Sequence, residues 1–353
     1  MTKLSMDTES LYFTGPREVA VRAEPLRAPG RGEIVLELLV SGISAGTELN
    51  VFRGLAPQWR QAMDPQTRLF SADNGSDWSW PARYGYAAVG RVTALGEDVT
   101  TRSIGELVFA YVPHGRHAVT SAASVVPLGD VADEELGIFF ANLNTAYNGV
   151  LDANIPLGAD VVVSGLGVIG QIVTRLLRRN GARHIIAVDG IALRRDLAAA
   201  GGADTVLDPA AAPVAEAVRD LTEGRGADVV IEVSGAAPAL NEAIRTAGFN
   251  GLVVAMSWYG GTFESLSLSG EFHHNRPRIV SSQVGAVNPF LGPLWSTERR
   301  ARIARDYLRM LATDLKGFVT HRVPLAEAAR GYGLLDQGSP DVMQVLIDYR
   351  KQG

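Results

Sequence analysis

The stretch VVVSGLGVIGQIVTRLLRRNG, residues 161–181, constrains the fold of this chain more than any other segment. Gly165, Gly167 and Gly170 form G-x-G-x-x-G between a β-branched run and a segment whose apolar positions Ile169, Ile172, Val173, Leu176 and Leu177 follow a helical period, closed by Gly181. Such a strand, turn and helix bind a dinucleotide pyrophosphate. The first glycine permits the turn, the second lets backbone approach the phosphates, and the third lets the helix pack close to the strand. Leu166, Val168 and Ile169 complete the turn that faces the phosphates. The next apolar run, HIIAVDG, puts Asp189 nineteen residues past Gly170, where a carboxylate can accept from both ribose hydroxyls. That carboxylate would repel a 2'-phosphate, which favours NAD over NADP. Arg194 and Arg195, five and six residues later, are placed to take such a phosphate and keep NADP as the second choice.

The remainder of the chain sorts around this motif. Residues 18–43 and 87–127 hold short strand-like runs (EIVLELLV, AVGRVTAL, ELVFAYV, SVVPL) broken by Gly and Pro, a β-rich unit. From about residue 145, strand-like runs alternate with helical ones through DVVIEVSG, LVVAMSW and RIVSSQVG, which predicts a parallel sheet wound by helices and an α/β fold. A helical stretch and the strand MQVLIDY follow position 286 and are expected to return to the first unit. The predicted domains are therefore 1–143, 144–286 and a returning segment 287–353.

Composition narrows the chemistry. With no cysteine, disulfides, thiolate metal sites and a cysteine nucleophile are all excluded, and any metal would need His, Asp or Glu, with only six histidines in the chain. A net charge of -5 with no Lys/Arg block gives no reason to expect nucleic acid or an anionic membrane surface. No run approaches the ~18 apolar residues of a membrane span, and the N-terminus lacks a signal-peptide core. A cytoplasmic protein acting on a small molecule is the expectation.

Together with SGISAGTE (41–48), YGYAAVG (84–90), NTAYNGV (144–150), DVVIEVSG (228–235) and THRVPLAEA (320–328), the glycine-rich turn makes nearly the whole chain resemble the medium-chain dehydrogenase/reductase superfamily. The resemblance implies a GroES-like β-rich catalytic domain, a Rossmann doubly wound parallel sheet, hydride transfer in the cleft between them, and a homodimer. It also implies that Arg194 lies near the adenosine ribose and that Thr145, Ser234 and Ser257 border the cofactor. SGISAGTE and YGYAAVG are similar, more weakly, to the branch of bacteriochlorophyllide dehydrogenases.

The sequence departs from the zinc-dependent members. Their Gly-Ile-Cys motif reads Gly42-Ile43-Ser44-Ala45-Gly46-Thr47-Glu48 here, their Gly-His-Glu reads Gly85-Tyr86-Ala87, and the third ligand region offers only Ala141, Asn142 and Asn144. A tetrahedral site of N and S ligands cannot be assembled from these residues, so no metal is expected. Hydrogen-bond donors must then replace the Lewis acid. Tyr86 is the leading candidate, as donor to a developing alkoxide or as a base, with a core tyrosine as the alternative. Thr47 is aligned with the family's proton-relaying hydroxyl and Glu48 with the acid beside it, while Ser44 is a further donor. Asn142 remains as a substrate contact.

Between Glu48 and Gly85 an insert carries Trp59, Phe70, Trp78 and Trp80 among polar residues, consistent with a lid that stacks on a ring or with a satellite core. His114 and His117 flank a Gly-containing turn and read as a surface loop. His273, paired with His274 before RIVSSQVG, is a candidate to reach the substrate. The expectation is an NAD-dependent, zinc-independent oxidoreductase interconverting a secondary alcohol and a ketone on a ring-containing metabolite. Reduction of an activated C=C or C=N bond is the second enzymatic reading, and a dinucleotide sensor without turnover is the reading of another class.

Overall fold

In the computed structural model, which describes residues 6–71, 75–129, 131, 133–260 and 266–350, the chain is built on two large sheets. The first begins after a hairpin of β1 (Met6–Gly15) and β2 (Glu18–Leu26). β3 (Glu33–Ile43) leads into the one-turn-and-a-half helix α1 (Thr47–Phe52), and the insert that follows forms only the two-residue strands β4 (Ala62–Met63) and β5 (Phe70–Ser71). Then come β6 (Ala88–Leu95), β7 (Leu107–Ala110), β8 (His117–Ser121) and β9 (Val126–Pro127). β3 is the organising strand: β6 and β8 pair with it antiparallel, and most of its residues are buried, so it reads as a hydrophobic run, not as an alternation.

After α2 (Phe140–Ala153) the texture changes as predicted. β10 (Asp160–Ser164), α3 (Val168–Asn180), β11 (His184–Val188), α4 (Ala192–Ala200), β12 (Thr205–Leu207), α5 (Val214–Leu221), β13 (Ala227–Glu232), α6 (Ala237–Thr246), β14 (Ala247–Ala255), α7 (Glu271–Asn275) and β15 (Arg278–Ser281) alternate along the chain. All five strand pairings are parallel and the spatial order is β12-β11-β10-β13-β14-β15, the doubly wound order with its switch point between β10 and β13. Strands buried on both faces explain why DVVVS and HIIAV are continuous apolar runs. On α3, Ile172, Val173, Leu176 and Leu177 are buried, worth roughly 1.5–3 kcal/mol each. Gly181 ends that helix in the left-handed region at φ 87°.

α8 (Thr297–Met310), α9 (Ala312–Phe318), β16 (Val319–Pro324), α10 (Ala328–Asp336) and β17 (Gln344–Asp348) complete the chain. β17 pairs antiparallel with β3 and carries β16 beside it, so the C-terminal strands finish the first sheet. By contacts, residues 1–141 with 308–353 form one unit and 142–307 the other. Residues 287–307 thus belong to the second unit, and the return begins within α8. Among the described residues no helix is long and apolar enough to cross a membrane.

Candidate active site

In the second unit the glycine turn has the geometry that the motif requires. Gly165 adopts φ 94°, and a Cβ there would lie 2.6 Å from the Ser234 amide nitrogen. At Gly170 a Cβ would lie 1.9 Å from the Gly165 carbonyl oxygen, so this glycine is what lets α3 pack against the turn. Gly167 differs: it caps α3 at an ordinary φ of -65°, and a Cβ there would meet nothing within 4 Å. The space beside Gly167 is open and lies at the positive end of the helix, an environment that favours an anion. Beside the turn, a cavity of about 290 Å3 is lined by Gly165, Asp189, Gly190, Arg194 and Ser234 among others. Asp189 accepts from the Leu166 amide at 2.8 Å and from the Ile191 amide at 2.9 Å, and Arg194 lies 3.7 Å from it. The carboxylate therefore ties the turn to the end of β11 as well as facing the cavity. Val168 is buried, Ile169 partly so. Ser257 is close to Gly235, whose Cβ would lie 3.7 Å away. Thr145 and Asn142 are half-buried on α2, and His273 is exposed on α7 with its ring against His274.

Sequence reasoning passed over Glu232, at the end of β13. It is fully buried and accepts from the Ser234 amide at 2.8 Å, from the Ser234 hydroxyl and from the Tyr259 phenol. Burial raises its pKa, against the lowering effect of those hydrogen bonds. The available signal was a lone acid in the otherwise apolar run VVIEV.

The first unit holds the hydroxyl cluster. The Tyr86 phenol donates to Ser44 Oγ at 2.7 Å, and Thr47 also hydrogen-bonds it. Burial, and then the negative charge of Glu48, push the Tyr86 pKa up to about 12, so the phenol stays protonated through the neutral range. It is a donor, not a resident base. Glu48 is fully buried: Oε1 accepts from the Ser44 amide at 3.1 Å, and Oε2 from the Tyr332 phenol at 2.6 Å. Its third partner is His114 Nε2, 2.8 Å from Oε2. The surface-loop reading of His114 is thus corrected: the imidazole has no exposed surface, because its partners Ser41 and Glu48 are supplied by distant parts of the chain. His117, on β8, is half-buried beside the Thr8 hydroxyl.

The insert packs as a row of rings. Trp59 stacks on Trp80 at 3.7 Å between centroids and meets Trp78 edge-on at 5.2 Å. Trp78 touches Tyr84 at 5.3 Å, and Tyr84 meets Tyr86 at 6.4 Å. A zinc ion does not fit the hydroxyl cluster. Its atoms are neutral serine, threonine and tyrosine oxygens bonded to one another, and the one buried imidazole has both nitrogens occupied. Among the described residues no three His, Asp or Glu side chains are placed to hold a metal ion.

A glycine-rich turn on a doubly wound sheet, in a chain whose other unit is built on β3, is the architecture of a two-unit α/β protein of the Rossmann type. Residues 168–295 match the family model described as zinc-binding dehydrogenase, a segment that excludes Ser44 and Tyr86. The D-guloside 3-dehydrogenase of Escherichia coli K12 is 32% identical over 300 residues, covering 82% of this chain and 85% of that protein. Two solved structures share the fold. One is an NADP-bound protein from Sinorhizobium meliloti described as a zinc-binding dehydrogenase, with TM-score 0.78, 20% identity and coverage of 97% of this chain and 99% of that one. The other is an Escherichia coli CFT073 alcohol dehydrogenase complexed with NADH, with TM-score 0.75, 17% identity and the same coverage. This chain belongs to the medium-chain dehydrogenase/reductase superfamily.

Proposed function

We propose that this protein is an NAD-dependent dehydrogenase that interconverts a secondary alcohol and a ketone on a ring-containing metabolite, a glycoside first among them, without zinc. The observation that carries the reading is the hydrogen-bonded Tyr86–Ser44 hydroxyl pair; by the family resemblance Tyr86 replaces the histidine of Gly-His-Glu, and Ser44 or Ala45, depending on which end of the longer motif is aligned, replaces the cysteine. Gly165, Gly167, Gly170 and the start of α3 would hold the pyrophosphate, Asp189 the adenosine ribose, and Thr145, Ser234 and Ser257 the flanks. When bound, the nicotinamide takes or supplies the hydride.

The chain's own residues handle the oxygen. Tyr86, kept protonated, turns its one O–H from Ser44 Oγ to the substrate oxygen, and Ser44 donates beside it, as negative charge develops there, the role a Lewis acid would fill. In the oxidative direction the hydroxyl proton leaves through Thr47 and Ser44 toward solvent, the O–H electron pair closes the new C=O bond, and the carbinol hydrogen departs with both electrons of its C–H bond as the hydride. The rings from Trp80 to Tyr86 support an aromatic platform for the substrate ring, with Trp59, Trp78 and Trp80 as its members. Asn142 and His273 are retained as proposed substrate contacts. The relative that acts on a guloside supports the same substrate class. A homodimer through the edge strand β15 is also proposed, supported by exposed Ile279, Phe290 and Leu294.

The test is turnover of methyl guloside and other methyl hexopyranosides with NAD and with NADP, followed by nicotinamide absorbance. NAD-dependent oxidation of a glycoside is expected. Activity confined to NADPH and conjugated enones would replace this reading by the double-bond reductase.

A further inference from the structure

His114 lies on the loop between β7 and β8 and takes no part in the chemistry above, yet it touches both segments that carry the hydroxyl pair. Its Nε2 bonds Glu48 Oε2 at 2.8 Å, and the other oxygen of that carboxylate holds the Ser44 amide. Its ring also lies against Gly85: a Cβ there would sit 2.8 Å from His114 Cδ2 and 2.9 Å from Nε2, and Gly85 has φ 130°. The bare residue before Tyr86 is thus the space that the imidazole fills. The His114 amide donates to the Tyr84 carbonyl at 3.3 Å, and Nδ1 lies 2.6 Å from Ser41 Oγ, which in turn bonds the Tyr349 phenol at 2.6 Å. With Nε2–H donating to the carboxylate, Nδ1 accepts from Ser41, so the ring is held on both sides.

We propose that His114 is a positioning residue that brackets the site, fixing Ser44 through Glu48 and Tyr86 through Gly85. The proposal rests on the reading of Tyr86 and Ser44 as the groups that meet the substrate oxygen. A buried carboxylate deprived of a donor shifts or draws in water. Because Glu48 holds the Ser44 backbone, that shift is passed to the pair, and a misplacement near 1 Å in such a site costs about 100-fold in rate.

The test uses His114→Phe, which fills the space without a donor, and His114→Gln, whose amide nitrogen can still reach Glu48. With methyl guloside and NAD, His114→Phe is expected to lose kcat by about 10- to 100-fold. KM and NADH affinity should stay near wild type, and His114→Gln should recover most of the loss. In a background that lacks both hydroxyls, Tyr86→Phe with Ser44→Ala, His114→Phe should add little, since it acts through that pair. Hydrogen–deuterium exchange on the free proteins gives a readout that needs no substrate: exchange should quicken together at residues 42–47 and 84–87. If His114→Phe does not fold, Ser41→Ala, which removes the Nδ1 partner and with it one partner of the Tyr349 phenol, must show the same pattern in milder form. Wild-type kcat with unchanged exchange in both segments overturns the bracket. If Tyr86→Phe keeps full turnover, or methyl guloside is not oxidised, the underlying reading falls and exchange alone decides the bracket.

Discussion

Gly167→Ala separates the cofactor site from the fold. At Gly167 the backbone is one that alanine adopts freely, and an added Cβ meets no atom within 4 Å. Alanine is worse than glycine at a helix N-cap by roughly 0.5–1 kcal/mol, and it recovers about 0.4–1 kcal/mol by restricting the unfolded chain. The two nearly cancel, so the melting temperature should move by no more than about 2 °C. The bound state is different. The methyl group would occupy the space into which the phosphates come, and charge-assisted hydrogen bonds from the turn are worth about 1.5–3 kcal/mol. At 1.4 kcal/mol per decade, losing one such bond weakens NADH by roughly 10- to 100-fold. The assay is fluorescence titration with NADH beside a melting curve. Gly170→Ala is the control, since its Cβ would sit 1.9 Å from the Gly165 carbonyl oxygen and should cost stability outright. Unchanged NADH affinity in a stable Gly167→Ala would refute the assignment of this turn.

Three further outcomes follow from the geometry. Tyr86→Phe removes the donor but not the ring, and should lower kcat by about 100-fold or more with NADH affinity unchanged, as for loss of an oxyanion donor; full turnover would return the phenol to a packing role. Asp189→Ala removes the carboxylate beside Arg194 and should shift the NADPH-to-NADH affinity ratio upward by at least about 10-fold, the scale of one charge-assisted contact. A ratio that stays put means Asp189 only ties the turn. Asp160, at the start of β10, is buried, which raises its pKa, but bonds from Arg183 and Arg225 at 2.6 and 2.7 Å outweigh this and hold it below its usual value. A depressed carboxyl pKa confers stability present above the unfolded value near 3.8 and lost as the pH falls through the folded one. Asp160→Asn should therefore cost about 1–3 kcal/mol at neutral pH and flatten the acid limb of stability, as read by denaturation at several pH values.

The parts of this molecule that were legible in the sequence are those encoded locally. α3 announced itself through period and caps, β10 and β11 through unbroken apolar runs, and Asp189 through its distance from the glycines. The hydroxyl cluster was only half legible. Ser44 and Tyr86 stand out as departures in two short motifs, and Thr47 and Glu48 as the matching hydroxyl and acid, but the groups behind them do not. His114 sits in YVPHGRH, which has every local mark of an exposed turn, and it is buried by partners 66 and 73 residues away. Tyr332 carries no signal in its own segment and reaches Glu48 across 284 residues. The absent side chain of Gly85 is demanded by an imidazole that no local pattern places there.

The claim on which the rest depends is that hydroxyl donors, not a metal, support the reaction. The direct measurement is kcat for NAD-linked oxidation of methyl guloside by protein whose zinc content is determined on the same sample, before and after chelation. The account predicts turnover at substoichiometric zinc that chelation leaves unchanged. Turnover proportional to bound zinc, abolished by the chelator and restored by adding the metal, would contradict it.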